Sequence, residues 1–166
     1  MSSQHAILYQ PKPVDLSPHV ADWLAEQPVV VSTIGTADEL MAFALRGRPK
    51  FVIFDGRASE VDSLAACARL KRDSYTGVVP AVILCADDAS SFAAAFASSA
   101  DEVIESGLAG GAVRCRLDGL LLRSDRDLGV HPSTRLPGAG AIEMEIKRRL
   151  GGSETFAVCY ADLDHF

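Results

Sequence analysis

The stretch Phe51-Val52-Ile53-Phe54-Asp55-Gly56 is an uninterrupted apolar run that ends in a carboxylate and a glycine. A strand covered by helices on both faces of a parallel sheet reads this way, because neither face meets solvent and no polar residue needs to alternate. The Asp-Gly pair marks the carboxyl end of that strand, where the chain opens into a loop. In open α/β sheets, ligands and chemistry collect at those ends.

The same alternation of short apolar runs and helical segments recurs on either side. Ala6-Ile-Leu-Tyr9 is broken by Pro11 and Pro13, and Ser17-Pro18 sets a capping hydroxyl before a proline suited to the first helical position. The spacing turns Val20, Trp23 and Leu24 inward. Val29–Ile34 is a β-branched strand, and Thr36-Ala-Asp-Glu39 is a capping box that opens a helix carrying Leu40, Phe43 and Ala44 on one face. After Asp55 a helix over Glu60–Arg72 is expected to bury Val61, Leu64 and Ala68. Ala81–Leu84 is the next strand, Asp88 caps an alanine-rich helix, Asp101–Ile104 is a short fifth strand, and a helix from Leu108 to Arg123 presents Val113, Leu117, Leu120 and Leu121. The expectation is a flavodoxin-like (βα)5 doubly wound parallel sheet over residues 1–123, a linker at 124–130, and a truncated α+β remnant over 131–166.

The bulk properties bound the function. A chain of 166 residues, 48% hydrophobic, supplies one packed core and a remainder. The net charge of −6 and the absence of a run among the 16 Lys and Arg argue against nucleic acid as a partner. No apolar stretch approaches the roughly 18 residues of a membrane span, and no leader pattern opens the chain, so a cytoplasmic protein without membrane contact is expected. Cys67, Cys85, Cys115 and Cys159 lie too far apart for a zinc site or disulfide framework, and read as buried free thiols. His5, His19, His131 and His165 are equally scattered.

Taken together, these strings resemble the receiver family of response regulators over about residues 5–124. Phe51-Val-Ile-Phe-Asp55 matches the strand that ends in the family's phosphoacceptor; Arg69-Leu-Lys-Arg-Asp73 with Val79-Pro-Ala-Val-Ile-Leu84 matches a helix end leading into strand four; Ser99-Ala-Asp-Glu-Val-Ile104 is similar to its "G-A-D-D-Y-I". The resemblance implies Asp55 at the phosphoacceptor position, and degenerate partners around it. Gln10 and Pro11 stand where the acidic pair would hold Mg²⁺, Cys85 where a Thr or Ser would bond the phosphoryl group, and Ser106 with Gly107 where Lys-Pro would follow strand five. Asp15 lies too far past the prolines to replace the acidic pair. Phosphoryl transfer is mainly positioning and charge neutralisation, so an acceptor without metal or cation loses several orders of magnitude in rate. A strand-end carboxylate bonded to nearby backbone N–H groups is the structural alternative for Asp55. No cofactor is expected for this part.

After Arg123 the chain changes character. Thr134, Leu136 and Pro137 match the entry string of GGDEF-type diguanylate cyclases, with Arg135 and Gly138 departing from it. Ala141–Leu150 is a periodic helix closed by Gly151-Gly152, and Phe156–Phe166 is similar to that family's first strand. The resemblance implies Asp162 and the Leu163 carbonyl as Mg²⁺ ligands, with GTP as substrate, once a longer product completes the domain; hard oxygen donors suit that ion. The functional expectation is a phosphorylation-defective receiver-like module that controls, through a protein partner or self-association, a cyclic di-GMP output domain. A phosphorylatable receiver on an active cyclase, and a catalytically dead nucleotide-binding or interaction protein, are the rival readings.

Overall fold

The β-branched and apolar runs become five strands, each followed by a helix, in a computed structural model that describes residues 4–128, 137–152 and 155–161. In chain order these are β1 (Gln4–Tyr9), α1 (Pro18–Glu26), β2 (Val29–Ile34), α2 (Ala37–Arg46), β3 (Val52–Asp55), α3 (Glu60–Arg72), β4 (Ala81–Cys85), α4 (Ala89–Ala97), β5 (Glu102–Glu105), α5 (Gly110–Leu128) and α6 (Ala139–Leu150). The sheet is parallel in the order β2-β1-β3-β4-β5. Strands β3 and β4 are buried at every position, as their unbroken apolar sequences require.

Alternate side chains feed two cores. Ile7, Tyr9, Phe54, Ile83 and Val103 point to the face packed by Leu40, Ala44, Cys67 and Leu70. Ala6, Leu8, Ile53, Val82 and Ile104 point to the other, where Val20, Trp23, Val113 and Leu117 close the layer. Trp23, Phe51 and Phe54 are among the largest fully buried side chains, each worth roughly 1.5–3 kcal/mol or more in burial.

The helix starts follow their caps. Ser17 accepts from Val20 N ahead of Pro18, Thr36 accepts from Glu39 N, and Asp88 accepts from the N–H groups of Ser90 and Ser91. In the capping box, the Glu39 carboxylate bonds the Thr36 hydroxyl at 3.0 Å.

Several expectations need correction. In α3 the buried face is Ser63, Ala66, Cys67 and Leu70, while Val61 is 79% exposed. Of the expected face, Leu64 is half-buried and packs on the core and Ala68 is half-buried, while the Ser63 hydroxyl turns to the sheet and donates to the Asp55 carbonyl at 2.8 Å. Cys67 and Cys85 are buried, but Cys115 and Cys159 are exposed, since neither lies on a core-facing stripe. The expected linker begins as helix: α5 continues past Arg123 to Leu128, because Ser124–Leu128 contains no glycine or proline to stop it.

The chain divides into two compact units, Met1–Ser124 and Asp125–Phe166. In the second, α6 ends with the Gly151 N–H donating to the Lys147 carbonyl, and Glu143–Lys147 and Glu145–Arg149 pair one turn apart. Of the strand expected over Phe156–Phe166, the described residues 156–161 adopt no regular secondary structure, and Tyr160 is 91% exposed. His131, Thr134, Arg135, Leu136, Asp162, Leu163 and His165 lie outside the described residues.

Candidate functional site

Parallel packing sets the carboxyl ends of β1, β3, β4 and β5 side by side, and so gathers Gln10, Asp55, Cys85 and Ser106 at one end of the sheet. Asp55 closes β3 and is 1% exposed. A carboxylate at that depth is costly unless its lone pairs are filled. They are filled by Arg57: Nε donates to Oδ1 at 2.9 Å, Nη2 to Oδ2 at 2.7 Å, and the Arg57 backbone N–H to Oδ1 at 3.2 Å. This forked pairing is the strongest arrangement open to a guanidinium and a carboxylate. It raises the Arg57 pKa further above its ordinary value, against the opposing effect of burial.

Gln10 completes the cluster. Its Nε2 donates to Asp55 Oδ2 at 2.9 Å and to the Val14 carbonyl at 2.8 Å. Two acceptors around one atom require the amide nitrogen there. Arg57 Nη2 also donates to the Asp15 carbonyl at 2.9 Å. Asp15 thus enters through its backbone, and the loop from Gln10 to Ser17 is tied to the end of β3 through the Gln10 amide and the Asp15 carbonyl.

A divalent cation does not fit this donor set. Both Asp55 oxygens are engaged by nitrogen donors, Gln10 turns its amide nitrogen to the carboxylate, and Pro11 offers no side-chain oxygen. Among the described residues no group of three or more acidic, Cys or His side chains is arranged to hold a metal ion. The guanidinium supplies the positive charge that Asp55 needs.

At the ends of β4 and β5 stand a buried thiol and a hydroxyl. Burial pushes the Cys85 thiol up to about 11, with Glu105, Asp88, Glu60 and Asp87 adding to the effect. The Ser106 hydroxyl donates to the Cys85 carbonyl at 2.7 Å and its N–H reaches the same oxygen at 3.1 Å. A Cβ added at Gly107 would meet the Asp87 carboxylate. The structure brings Asp55 and Gln10 into contact and joins Cys85 to Ser106, while Pro11 makes no polar contact with either pair.

No protein-family model matches the chain, and no curated protein matches it. Solved structures do. A response regulator from Chloroflexus aurantiacus is 18% identical, with a TM-score of 0.58 over 74% of this chain and 100% of that one. The receiver domain of NtrX from Brucella abortus is 19% identical, with a TM-score of 0.57 over 70% of this chain and 98% of that one. The fold is that of a receiver domain. In this sheet order, β2-β1-β3-β4-β5, Asp55 stands at the carboxyl end of the central strand β3. A further structure, a two-component system response regulator/GGDEF domain protein, is 16% identical with a TM-score of 0.59; the likeness covers 74% of this chain and 50% of that one.

Sequence reading placed Asp55, Gln10, Cys85 and Ser106 but missed Arg57, the residue that defines the site. Its signal was present as Asp55-Gly56-Arg57: a base two residues past a buried strand-end acid is within reach of it once the chain turns at the glycine.

Proposed function

We propose that the receiver-fold unit is a signalling module that works by protein contact without phosphorylation of Asp55, and that it controls a GGDEF-type cyclic di-GMP output begun by residues 131–166. The observation that carries the first part is the occupation of both Asp55 oxygens by Arg57 and Gln10 in a carboxylate 1% exposed. To attack a phosphoryl donor, Asp55 must shed a bidentate ion pair and an amide bond. It must then do so without a metal, and without a lysine to balance the incoming charge.

The second part is supported by Thr134, Leu136, Pro137 and the segment Phe156–Phe166, and by likeness to a protein that joins a response regulator to a GGDEF domain. In that reading Asp162 and the Leu163 carbonyl hold Mg²⁺ with GTP in a completed domain, while the receiver-fold unit binds neither.

Incubation of the chain with acetyl phosphate and Mg²⁺, followed by intact-mass measurement, tests the reading. The expected result is an unchanged mass. A stoichiometric gain of one phosphoryl group that disappears in Asp55→Asn overturns it.

A further inference from the structure

The two edges of the sheet are finished differently. Strand β5 is short, begins and ends in Glu102 and Glu105, and has its Val103 carbonyl covered by Arg116 Nη1 at 3.0 Å. Charge, shortness and covered backbone are the usual protections of an edge strand. Strand β2 has none of them. Val29-Val-Val-Ser-Thr-Ile34 contains no charge, proline or glycine, pairs only with β1 among the described residues, and leaves Val30 48% and Val31 37% exposed. Adjacent strand residues point to opposite faces, so the β2 edge is uncovered on both.

Beside this edge, α2 borders a groove of about 440 Å³ lined by His5, Ile34, Glu39, Phe43 and Arg46. Helix α2 is acidic in its first turn and basic in its last. Asp38 is already paired with Arg69, whereas Glu39 and Arg46 have no ion-pair partner among the described residues. We propose that the β2 edge and the α2 groove form a two-fold surface that joins two copies of this chain through antiparallel β2–β2 pairing.

The occupant follows from self-complementarity. In a symmetric register centred on Ser32, which keeps paired side chains on one face, Val30 stands opposite Ile34 and Val31 opposite Thr33, β-branched pairs of the kind that stabilise sheets. Antiparallel strands related by a two-fold axis normal to the sheet keep both α2 helices on one face, running in opposite directions. Glu39 of one copy then faces Arg46 of the other, twice, over an apolar floor that includes Phe43. An isologous interface needs such a patch, complementary to itself. The inference deepens the contact-based reading of function by naming the surface and the partner, and it does not depend on the chemical state of Asp55.

Sedimentation of the full chain, with circular dichroism to verify folding, tests it. Wild type should dimerise. Glu39→Arg and Arg46→Glu should each shift the equilibrium toward monomer by about tenfold or more, because a two-fold interface meets every substitution twice. An equimolar mixture of the two variants should recover dimers, since each opposed pair is then oppositely charged. Val30→Lys, which leaves the α2 cap untouched, should also give monomer. A wild-type monomer at high micromolar concentration overturns the proposal. So does a dimer that survives these changes and is lost instead in Phe96→Glu on α4. Failure of the acetyl phosphate test would leave these outcomes unaffected, so the two readings fail separately.

Discussion

Asp55 and Asp101 both hold a basic side chain, at opposite ends of the same sheet, yet the two pairs differ in depth. Asp55 is fully buried against a forked Arg57 whose side chain is 18% exposed. Asp101, before β5, has its side chain 35% exposed; Oδ2 accepts from Lys71 Nζ and from the Ala81 N–H, each at 2.8 Å. Each end also carries a buried thiol, Cys85 beside Asp87 and Asp88, Cys67 near Lys71 and Asp101. The amino end of a parallel sheet is where structural contacts are expected. The same device stands at the carboxyl end in deeper and stronger form, and there it makes Asp55 an anchor. It is built into the packing, and it holds the Gln10–Ser17 loop.

The largest predicted effect follows from that depth. Arg57→Ala leaves a buried carboxylate with only Gln10 and one backbone N–H, and should lower the unfolding free energy by about 3–5 kcal/mol in urea denaturation. A loss below about 1 kcal/mol would show that Asp55 is as well solvated as a surface acid, and the contrast between the two ends would vanish.

The pH dependence at the amino end should be smaller. Burial pushes the Cys67 thiol up to about 11, with Ser98 and Lys71 opposing and Asp101 adding. The folded chain therefore keeps a proton that the unfolded chain releases from about pH 9. Stability is fully present below that pH and falls between about 9 and 11, by roughly 2–3 kcal/mol for this group. Cys67→Ala should remove about half of the fall between pH 9 and 11 in thermal melts followed against pH, because Cys85 is also pushed up to about 11. Under native conditions near pH 8, a thiol reagent should modify Cys115 and Cys159 and spare the two buried thiols.

Two further substitutions test the amino end itself. Lys71→Met should cost at most about 1 kcal/mol, because Asp101 keeps its bond to Ala81 and part of its hydration. A cost equal to that of Arg57→Ala would make the two ion pairs equivalent. Ser99, which links α4 to this corner, has a φ of 68°, in the left-handed region that disfavours L side chains. Ser99→Gly relieves about 1–2 kcal/mol of strain and costs part of it in backbone entropy, for a net gain of about 0.5–1 kcal/mol in chemical denaturation.

How much was legible in advance differs between elements for physical reasons. Phe51–Asp55 and Ala81–Leu84 announce buried parallel strands, because only doubly covered strands tolerate unbroken apolar runs. The caps at Ser17, Thr36 and Asp88 were readable because they act within one turn of the chain. The α3 face was not, since Val61 and Ser63 head equally valid helical stripes and only contact with the sheet selects between them. Nothing in the string Ser99–Ile104 marked Ser99 as special, because its positive φ is a property of the folded corner.

By itself, the sequence determined the order of strands and helices, the buried strand that carries Asp55, and which residue types stand at the strand ends. These follow from local periodicity and residue chemistry. Tertiary structure alone decided what surrounds Asp55: Gln10 meets it across 45 residues of chain, and Arg57 reaches it because the turn after β3 folds back over the strand end. It also decided that β2 rather than β5 is the open edge. Backbone donors are identical in every strand, and only the packing around them determines which remain unpaired.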